Sequence, residues 1–155
     1  MRAFEKALGA YLISTDRGRL DLDAIASYLS EESYWARGRS RETIVRGIEN
    51  SLPFGVYKDG AQVGFARVVT DYATFAWLAD VYVLADDRGQ GLGKALVEAV
   101  IEHAAVRDLP RVLLATADAH GLYEQYGFSA LKRVERFMAI EVSTAADACA
   151  EGRGC

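Results

Sequence analysis

The sequence predicts a three-layer α/β/α domain of the α+β class, with helices on both faces of a mixed, mostly antiparallel central sheet. Three observations lead to this prediction. The chain has 155 residues, about the size of one domain. Asp59-Gly60 stands between two short β-rich runs, which is typical of a tight antiparallel hairpin. Later in the chain strands alternate with helices, and a strand–helix–strand crossover requires parallel pairing.

The first part of the chain predicts one strand followed by two helices. Residues 10–15, AYLIST, form a β-rich run that ends at the turn-prone DRGR. LDLDAIASYLSEESYW has apolar residues at helical spacing, with Asp21 as the expected N-cap. In GRSRETIVRGIENS the expected cap is Ser40, and the side chains expected to be buried are Ile44, Val45 and Ile48.

The rest of the chain predicts a block of strands and then two further helices. FGVYKDGAQVGFARVVTD contains the hairpin, and ATFAWLADVYVL a longer strand. Residues 92–106 predict the clearest helix, because apolar residues recur every three or four positions. RVLLATAD predicts a buried strand, AHGLYEQYG a short helix that stops at Gly127, and FSALKRVERFMAIEV one or two closing strands. We expect a single domain over residues 1–142 and a flexible tail over residues 143–155.

The composition favours an ordinary globular protein in water. Net charge is −4, and no long run of Lys or Arg indicates a nucleic-acid surface. No stretch approaches the ~20 apolar residues that span a bilayer, and the N-terminus lacks a signal-peptide core. We therefore expect a cytoplasmic protein that binds neither nucleic acid nor membrane. The only cysteines, Cys149 and Cys155, lie at the C-terminus, so neither a disulfide framework nor a metal site is expected for the domain.

The chemistry centres on a glycine-rich turn between an apolar strand and a helix, where RGQGLG begins at Arg88. A dinucleotide fingerprint would need its third glycine at Lys94, and a P-loop would need a hydroxyl where Ala95 stands. A glycine-rich helix start without a ligand remains an alternative. Bare glycines let successive N–H groups turn into one concavity, and the helix dipole adds partial positive charge there. The turn therefore favours an anion.

The longer pattern resembles the acetyl-CoA motif of the GNAT N-acetyltransferases, in which RGQGLG follows an apolar strand and opens an amphipathic helix. LLATADAHGLYEQYGF resembles the family's later segment, a strand and then a short helix that carries a tyrosine and ends in Gly-Phe. The order and lengths of the elements agree with the family from about residue 10 to residue 142. The resemblance implies a GNAT-like fold, acetyl-CoA as co-substrate, no metal, and transfer of an acetyl group to a primary amine.

The resemblance also implies which residues hold the cofactor. The amides from Gln90 to Lys94 would bind the pyrophosphate. The main chain of the preceding strand would bond the pantetheine arm, and a bulge there would splay this strand from the next one. The expected cofactor-binding residues are Val81, Val83, Arg88, Gly89, Gln90, Gly91, Leu92, Gly93 and Lys94. Alternation along the strand also allows the two valines a place in the core.

Two side chains are candidates for acid–base catalysis. Tyr123 occupies the tyrosine position of the family's short helix, and a phenol of pKa ~10 can protonate a departing thiolate. Packing in the core is the alternative for Tyr123. Asp80 is a lone carboxylate in the apolar run LADVYV, where burial would make it a better base. A structural network, a contact to the substrate ammonium, or deprotonation through water remain alternatives to Asp80 as the base.

The acceptor site is expected around three aromatic residues. Tyr34 and Trp35 lie in SYWARGRSRE between the first two helices, where the family usually borders the acceptor. An ordinary interhelical loop with an aromatic anchor is the alternative. Trp77 is three positions before Asp80, so alternation separates the two side chains unless a bulge intervenes.

The sequence hypothesis is direct attack by a small-molecule amine on acetyl-CoA in a ternary complex, with a homodimer as one option for the assembly. Two alternatives remain open at this point. One is a CoA-binding module without catalysis. The other is an N-acetyltransferase for proteins or peptides.

Overall fold

A mixed sheet organises the protein, whose computed structural model describes residues 2–142. Strand order in the sheet follows chain order, with antiparallel pairing from β1 to β5 and parallel pairing between β5 and β6. This arrangement confirms the predicted fold class. The strands are β1 (Glu5–Leu8), β2 (Tyr11–Ser14), β3 (Leu52–Lys58), β4 (Ala61–Thr70), β5 (Ala76–Val83) and β6 (Val112–Leu114).

The first two helices begin at residues whose side chains cap them. Asp21 accepts a hydrogen bond from the Ala24 amide at 2.9 Å, and Ser40 accepts one from the Thr43 amide at 3.2 Å. The first helix continues beyond its α-helical part as a π-helical turn, Tyr28–Glu32. The helices are α1 (Leu22–Ser27), α2 (Arg41–Glu49), α3 (Leu92–Glu102) and α4 (His120–Glu124).

Two apolar cores lie on opposite faces of the sheet. The α3 core contains α3 and the sheet face beneath it, and the α1/α2 core contains the first two helices and the other face. Full burial of one large apolar side chain contributes about 1.5–3 kcal/mol. Fully buried members are Phe54, Val68, Leu96 and Val100 in the α3 core, and Ile25, Leu29 and Phe65 in the α1/α2 core.

The hairpin predicted at Asp59-Gly60 joins β3 to β4. Both residues have positive φ, +50° and +82°, as a two-residue turn between twisted antiparallel strands requires.

The structure differs from the predicted elements at three places. β1 was not predicted, because its sequence EKAL is short and has two charged residues followed by two apolar ones, without the alternation typical of a strand. α3 ends at Glu102 rather than residue 106, because His103 is already extended.

The third difference concerns the closing strand or strands predicted in FSALKRVERFMAIEV. Residues 128–142 contain only a short 3₁₀ turn, Val134–Arg136, and pair with no strand of the described chain. An apolar alternating run forms a strand only where a neighbour supplies the ladder of hydrogen bonds. In the described residues the start of this run, residues 128–131, lines the grooves beside β6 but forms no strand pairing with it.

The predicted tail, residues 143–155, lies outside the described residues, so the domain boundary at residue 142 stays a prediction. None of the helices in residues 2–142 has the length and apolar character that crossing a bilayer requires.

His103 lies just after α3, between two aromatic rings. Its ring centroid is 5.6 Å from that of Phe4 and 5.5 Å from that of Phe54. Its Nδ1 accepts a hydrogen bond from the Ala105 amide at 3.1 Å. Burial lowers the pKa of His103 below its usual value, because the imidazolium form would lose hydration among these rings.

We predict that His103 makes the fold acid-sensitive. Because the folded-state pKa is lower than the unfolded value of about 6.5, the stabilisation is complete above that pH and is lost as the pH falls below it. His103→Gln should therefore show a smaller drop in Tm between pH 7.5 and pH 5.5 than the wild type. Thermal melts followed by circular dichroism measure this. His120→Gln, at the exposed start of α4, is the control and should keep the wild-type drop. Equal drops in all three proteins would contradict the assignment.

Candidate active site

A β-bulge in the middle of β5 determines the geometry of the site. Between two regular pairs of β4 and β5, Asp80 and Val81 together face the single residue Ala66. Asp80 has a left-handed backbone with φ of +55°, which is uncommon for a residue with a side chain. The extra residue reverses the alternation of the strand. Leu78 therefore packs in the α3 core, whereas Tyr82 packs in the α1/α2 core.

β5 and β6 separate close to this bulge. They pair only over Ala76–Leu78 and Val112–Leu114. Beyond those pairs, residues 79–81 and residues 114–119 line opposite walls of a cleft of about 390 Å³. Val81 also lines an adjoining cavity that reaches Val83 and Arg88. One continuous depression therefore leads from the parted strands towards the glycine-rich turn.

The main chain of β5 presents a free edge to this cleft. The Leu84 amide donates to the Val63 carbonyl on the β4 side at 2.8 Å. Successive residues of a strand point their N–H and C=O groups to opposite sides, so those of Val83 and Val81 point away from β4. The Val83 carbonyl indeed accepts a bond from outside the sheet, from Arg88 Nε at 2.9 Å. Both valine side chains pack against the α3 core, so their side chains are structural while their main chain faces the cleft.

The glycine-rich turn presents unpaired amides at the start of α3. Gly89 and Gly91 have φ of +78° and +77°, a conformation that favours glycine, and Gly91 is the N-cap residue. Ala95 donates the first helical hydrogen bond, to the Gly91 carbonyl at 3.0 Å. Within residues 2–142, the amides of residues 90–94 donate to no acceptor. These are donors that a helix start leaves available to an anion.

Space in front of the turn is open. A Cβ atom added at Gly89 or Gly91 would meet no protein atom within 4 Å. Gly93 is different, because its φ is not positive and an added Cβ would lie 3.9 Å from Leu122, an ordinary contact. The Leu92 side chain is buried in the α3 core, so only its amide faces the turn. Lys94 is exposed on the first turn of α3.

Two charged side chains hold the segment before the glycines. Asp87 is buried and accepts a hydrogen bond from the Tyr11 hydroxyl at 3.0 Å. Arg88 bonds the Val83 carbonyl and also donates to the Tyr28 hydroxyl at 3.2 Å. Tyr28 in turn stacks on Tyr82, with ring centroids 3.8 Å apart. Arg88 therefore links the turn to the end of β5 and to the π-helical turn after α1.

Tyr123 reaches the cleft from α4. Its side chain is only 8% exposed, yet it lines the same cleft as Asp80 and Val81. The ring packs edge-on against Phe128, with centroids 5.8 Å apart. Burial raises the pKa of Tyr123 above its usual value, so the phenol keeps its proton throughout the neutral range. Such a group can donate a proton to a stronger base but does not readily lose one to water.

Asp80 lies at the centre of an ion-pair network in the cleft wall. Arg67 Nε is 2.5 Å from Oδ2, and Trp35 Nε1 donates to Oδ1 at 3.0 Å. Arg39 adds a weaker contact, 3.5 Å from Oδ1. Both carboxylate oxygens therefore already accept hydrogen bonds from side chains of the protein.

The three aromatic candidates for the acceptor site line this cleft together with Asp80 and Tyr123. The bulge brings Trp77 to the Asp80 side, which strict alternation would not do. Tyr34 and Trp35 pack edge to face, with centroids 5.0 Å apart. The Tyr34 hydroxyl also accepts a hydrogen bond from the Ala117 amide at 3.1 Å, so it bridges the two walls of the cleft.

Sequence reasoning did not single out Arg67 or Asp118, which also line the cleft. A signal for Arg67 was present, because it is the one charged residue of the otherwise apolar run VGFARVV, as Asp80 is in its own strand. No comparable signal existed for Asp118, which lies in a loop.

Within residues 2–142, no three His, Cys, Asp or Glu side chains are grouped as a metal ion would require.

Comparison with known proteins identifies the family. A sequence profile described as the acetyltransferase (GNAT) family matches residues 22–128, which include the cleft and the glycine-rich turn. A candidate acetyltransferase of Gibberella zeae is 31% identical over 137 residues, which cover 74% of this chain and 76% of the fungal protein.

Solved structures agree with this assignment. A candidate GNAT acetyltransferase of Xanthomonas campestris pv. campestris has 44% identity and a TM-score of 0.84, covering 88% of this chain and 96% of its own. The ribosomal-protein-S18-alanine N-acetyltransferase of Escherichia coli has 28% identity and a TM-score of 0.63, covering 79% of each chain. GNAT acetyltransferases transfer an acyl group from acetyl-CoA to an acceptor. The profile match, the fungal relative and the shared fold together show that this chain belongs to the GNAT acetyltransferase family.

Proposed function

We propose that the protein transfers the acetyl group of acetyl-CoA to a primary amine of a small molecule, by direct attack within a ternary complex. One observation carries the proposal. Unpaired amides open α3 just after Arg88, which lines a cavity that adjoins the cleft, and the buried phenol of Tyr123 lies in the wall of the cleft itself. An anionic carrier held at the first position would have its reactive end beside the second.

The residues present fit coenzyme A. The free amides of residues 90–94 and the left-handed glycines suit the pyrophosphate, because the backbone can approach a phosphate without a side chain in between. The free main-chain edge of β5 at Val81 suits the amides of a pantetheine arm, which would bond it as an added strand does. Arg88 and Lys94 supply positive charge on either side of the turn.

Tyr123 is the proposed acid. In the reaction the amine nitrogen forms a bond to the thioester carbonyl carbon, and the carbon–sulfur bond then breaks. The sulfur leaves as a thiolate and takes the phenolic proton, and the phenol regains a proton from the ammonium centre through solvent. The phenol carries its proton at neutral pH, so it can donate a hydrogen bond to the forming thiolate and supply the proton as the thiol is released.

Asp80 is proposed to position the cleft wall rather than to act as the base. Its bonds to Arg67 and Trp35 fix both side chains against the bulge, and its oxygens are occupied in doing so. The proton of the incoming ammonium then passes to water. The alternative is a base role for Asp80, which the pH–rate profile of Asp80→Asn distinguishes from a positioning role.

The size and lining of the cleft favour a small acceptor. A volume of about 390 Å³ lies at the lower end of the range for small-molecule sites. Trp77 and Trp35 supply apolar walls, and the guanidinium of Arg39 reaches the same space. Tyr34 closes part of the mouth by its bond to Ala117. An amine that also carries an anionic or polar group would suit this lining.

A second candidate is acetylation of a protein or peptide amine. The E. coli relative of 28% identity is named for the alanine of a ribosomal protein, and Tyr34 at the mouth is 54% exposed, so the bridge is accessible. A third candidate, a CoA-binding module without turnover, would retain the amide cradle but would not need a buried phenol in the cleft.

Turnover assays distinguish the candidates. The protein is incubated with acetyl-CoA and a library of amines, amino acids and N-terminal peptides while free thiol is followed. We expect thiol release with a small amine and less with peptides. Preference for peptides would favour the second candidate. Tight binding of acetyl-CoA by calorimetry without thiol release for any acceptor would favour the third.

We predict that Gly91→Val abolishes binding of CoA. A β-branched side chain at φ of +77° strains the turn and fills the space in front of the amides. Isothermal calorimetry with CoA measures the loss. Gly9→Val is a matched control, because Gly9 also has positive φ and open surroundings but lies in the β1–β2 turn. It should bind CoA as the wild type does. Unchanged affinity of folded Gly91→Val would remove the proposed cradle.

We predict that Tyr123→Phe lowers kcat by about 10²-fold or more and leaves the affinity for CoA nearly unchanged, because the ring stays in place and only the proton donor is lost. Steady-state kinetics and calorimetry measure the two quantities. Tyr126→Phe is the matched control, since Tyr126 lines a different groove. A wild-type rate for Tyr123→Phe would show that the hydroxyl is not the acid and that Tyr123 only packs in the core.

We predict that Asp80→Asn lowers stability by about 1.5–3 kcal/mol, the range for a hydrogen bond to a charged group, and raises KM for the acceptor. The pH dependence of kcat should keep its shape, because a positioning residue does not exchange protons with substrate. Urea unfolding and a pH–rate series measure these effects. Disappearance of the acidic limb of the pH–rate profile in the variant would identify Asp80 as the base instead.

A further inference from the structure

One cation in the wall of the cleft has no full partner. Arg39, in the segment between α1 and α2, lines the cleft, and its side chain is 32% exposed. Within residues 2–142 its one ion-pair contact is to Asp80 Oδ1, 3.5 Å from Nη1, and its guanidinium donates no hydrogen bond. A guanidinium has five N–H donors in a planar fork. Those of Arg39 are therefore available to a ligand in the cleft.

Asp80 does not neutralise Arg39, because Asp80 already has closer partners. Arg67 Nε lies 2.5 Å from Asp80 Oδ2, and Trp35 Nε1 donates to Oδ1 at 3.0 Å. Arg67 also donates to Ser51 Oγ at 3.4 Å, on the side away from the ligand. The group formed by Arg39, Arg67 and Asp80 thus has two positive charges against one negative charge. The more exposed cation, Arg39, carries the surplus and attracts an anion.

Arg39 also lies close to the position proposed for the thioester. Asp80, which Arg39 contacts, immediately precedes Val81, whose main chain faces the cleft. Under the proposed function that main chain holds the end of the pantetheine arm. An anionic group bound to Arg39 is therefore near the attacking nitrogen. In an α-amino acid only one carbon separates the amine from the carboxylate, whereas a side-chain amine lies several bonds farther away.

The opposite wall carries a carboxylate. Asp118 is exposed and accepts a hydrogen bond from the Tyr34 hydroxyl at 3.5 Å. Asp118 lines both the cleft and the adjoining cavity that reaches Arg88, whereas Arg39 lines only the cleft. A zwitterion in this field turns its ammonium towards the cofactor side and its carboxylate towards Arg39. The Trp77 side chain, 39% exposed, adds an apolar wall for the rest of the ligand.

We propose that the acceptor is a free α-amino acid whose carboxylate is bound by the guanidinium of Arg39. The planar fork of a guanidinium matches the two carboxylate oxygens with two parallel hydrogen bonds. The inference rests on the proposed function and names the class of amine. The first residue of a peptide has an amide in place of this carboxylate, so the same contact discriminates against peptides. Arg39 exchanges no proton with the substrate and sets specificity alone.

Acceptor specificity tests the proposal. Thiol release from acetyl-CoA is measured with the common amino acids, and for the best of them also with its amide and its decarboxylated amine. We expect kcat/KM for the amino acid to exceed that of either analogue by at least about tenfold, the effect of losing a hydrogen bond to a charged group.

Arg39→Met keeps the length of the side chain and removes its charge. The ratio of kcat/KM between the amino acid and its amide should fall at least about tenfold in this variant. Arg37→Met is the matched control, because Arg37 is an exposed arginine of the same segment that does not line the cleft. It should keep the wild-type ratio. If Arg39→Met does not fold, Arg39→Gln takes its place.

Calorimetry distinguishes this inference from the proposed function. Amino acids and their amides are titrated into the protein in the presence of CoA, which has no acetyl group to transfer. We expect at least about tenfold tighter binding of the amino acid than of its amide, and loss of this difference in Arg39→Met. Thiol release with no acceptor at all would contradict the proposed function, and binding would then decide this inference.

Several results would overturn the inference while leaving the acetyltransferase proposal in place. They are equal turnover of the amino acid and its amide, turnover of other amines but of no amino acid, and an unchanged ratio in Arg39→Met. Equal binding of the amino acid and its amide would also overturn the inference, whether or not any acceptor is turned over.

Discussion

The site depends on the two-against-one bulge between β5 and β4. Without the extra residue, β5 would continue its alternation and could pair with β6 along its whole length. With it, Asp80 adopts positive φ, the strands part, and one main-chain edge is left free beside the cleft. A left-handed conformation costs an L-residue roughly 1–2 kcal/mol. The bonds that Asp80 makes to Arg67 and Trp35 can offset that cost, so the polar network and the bulge stabilise each other.

The ion-pair network also explains why an aspartate is tolerated inside an apolar sheet. A buried charge without a partner is expensive, whereas one that receives several hydrogen bonds is not. Arg67 comes from the adjacent strand, Trp35 and Arg39 from the segment between the first two helices. The network therefore links the α1–α2 connection to the middle of the sheet. These ion pairs stabilise the wall of the cleft at the place where β5 lacks regular strand pairing.

Most of the fold could be predicted from local patterns. Helix caps at Asp21 and Ser40, the Asp59-Gly60 turn and the periodicity of α3 each depend on a few neighbouring residues. The closing strand was predicted wrongly, because alternation reports a suitable surface but not the presence of a partner strand. Asp80 and Arg67 lie 13 positions apart on two strands. The spacing of residues in the sequence does not determine which side chains meet across two strands, so this ion pair could not be predicted. The bulge was expected only through the family resemblance, since no residue type requires it.

Arg88 is held twice by the protein, on the Val83 carbonyl and the Tyr28 hydroxyl. A planar guanidinium has five N–H donors in a fixed fork, so it can make both bonds and still direct others elsewhere. Its charge is thereby fixed next to the turn, so the binding of CoA there that we propose would cost less side-chain entropy. A lysine ammonium on its flexible stem would give the same charge without this rigidity. At position 88 the shape of the cation therefore matters as much as its sign.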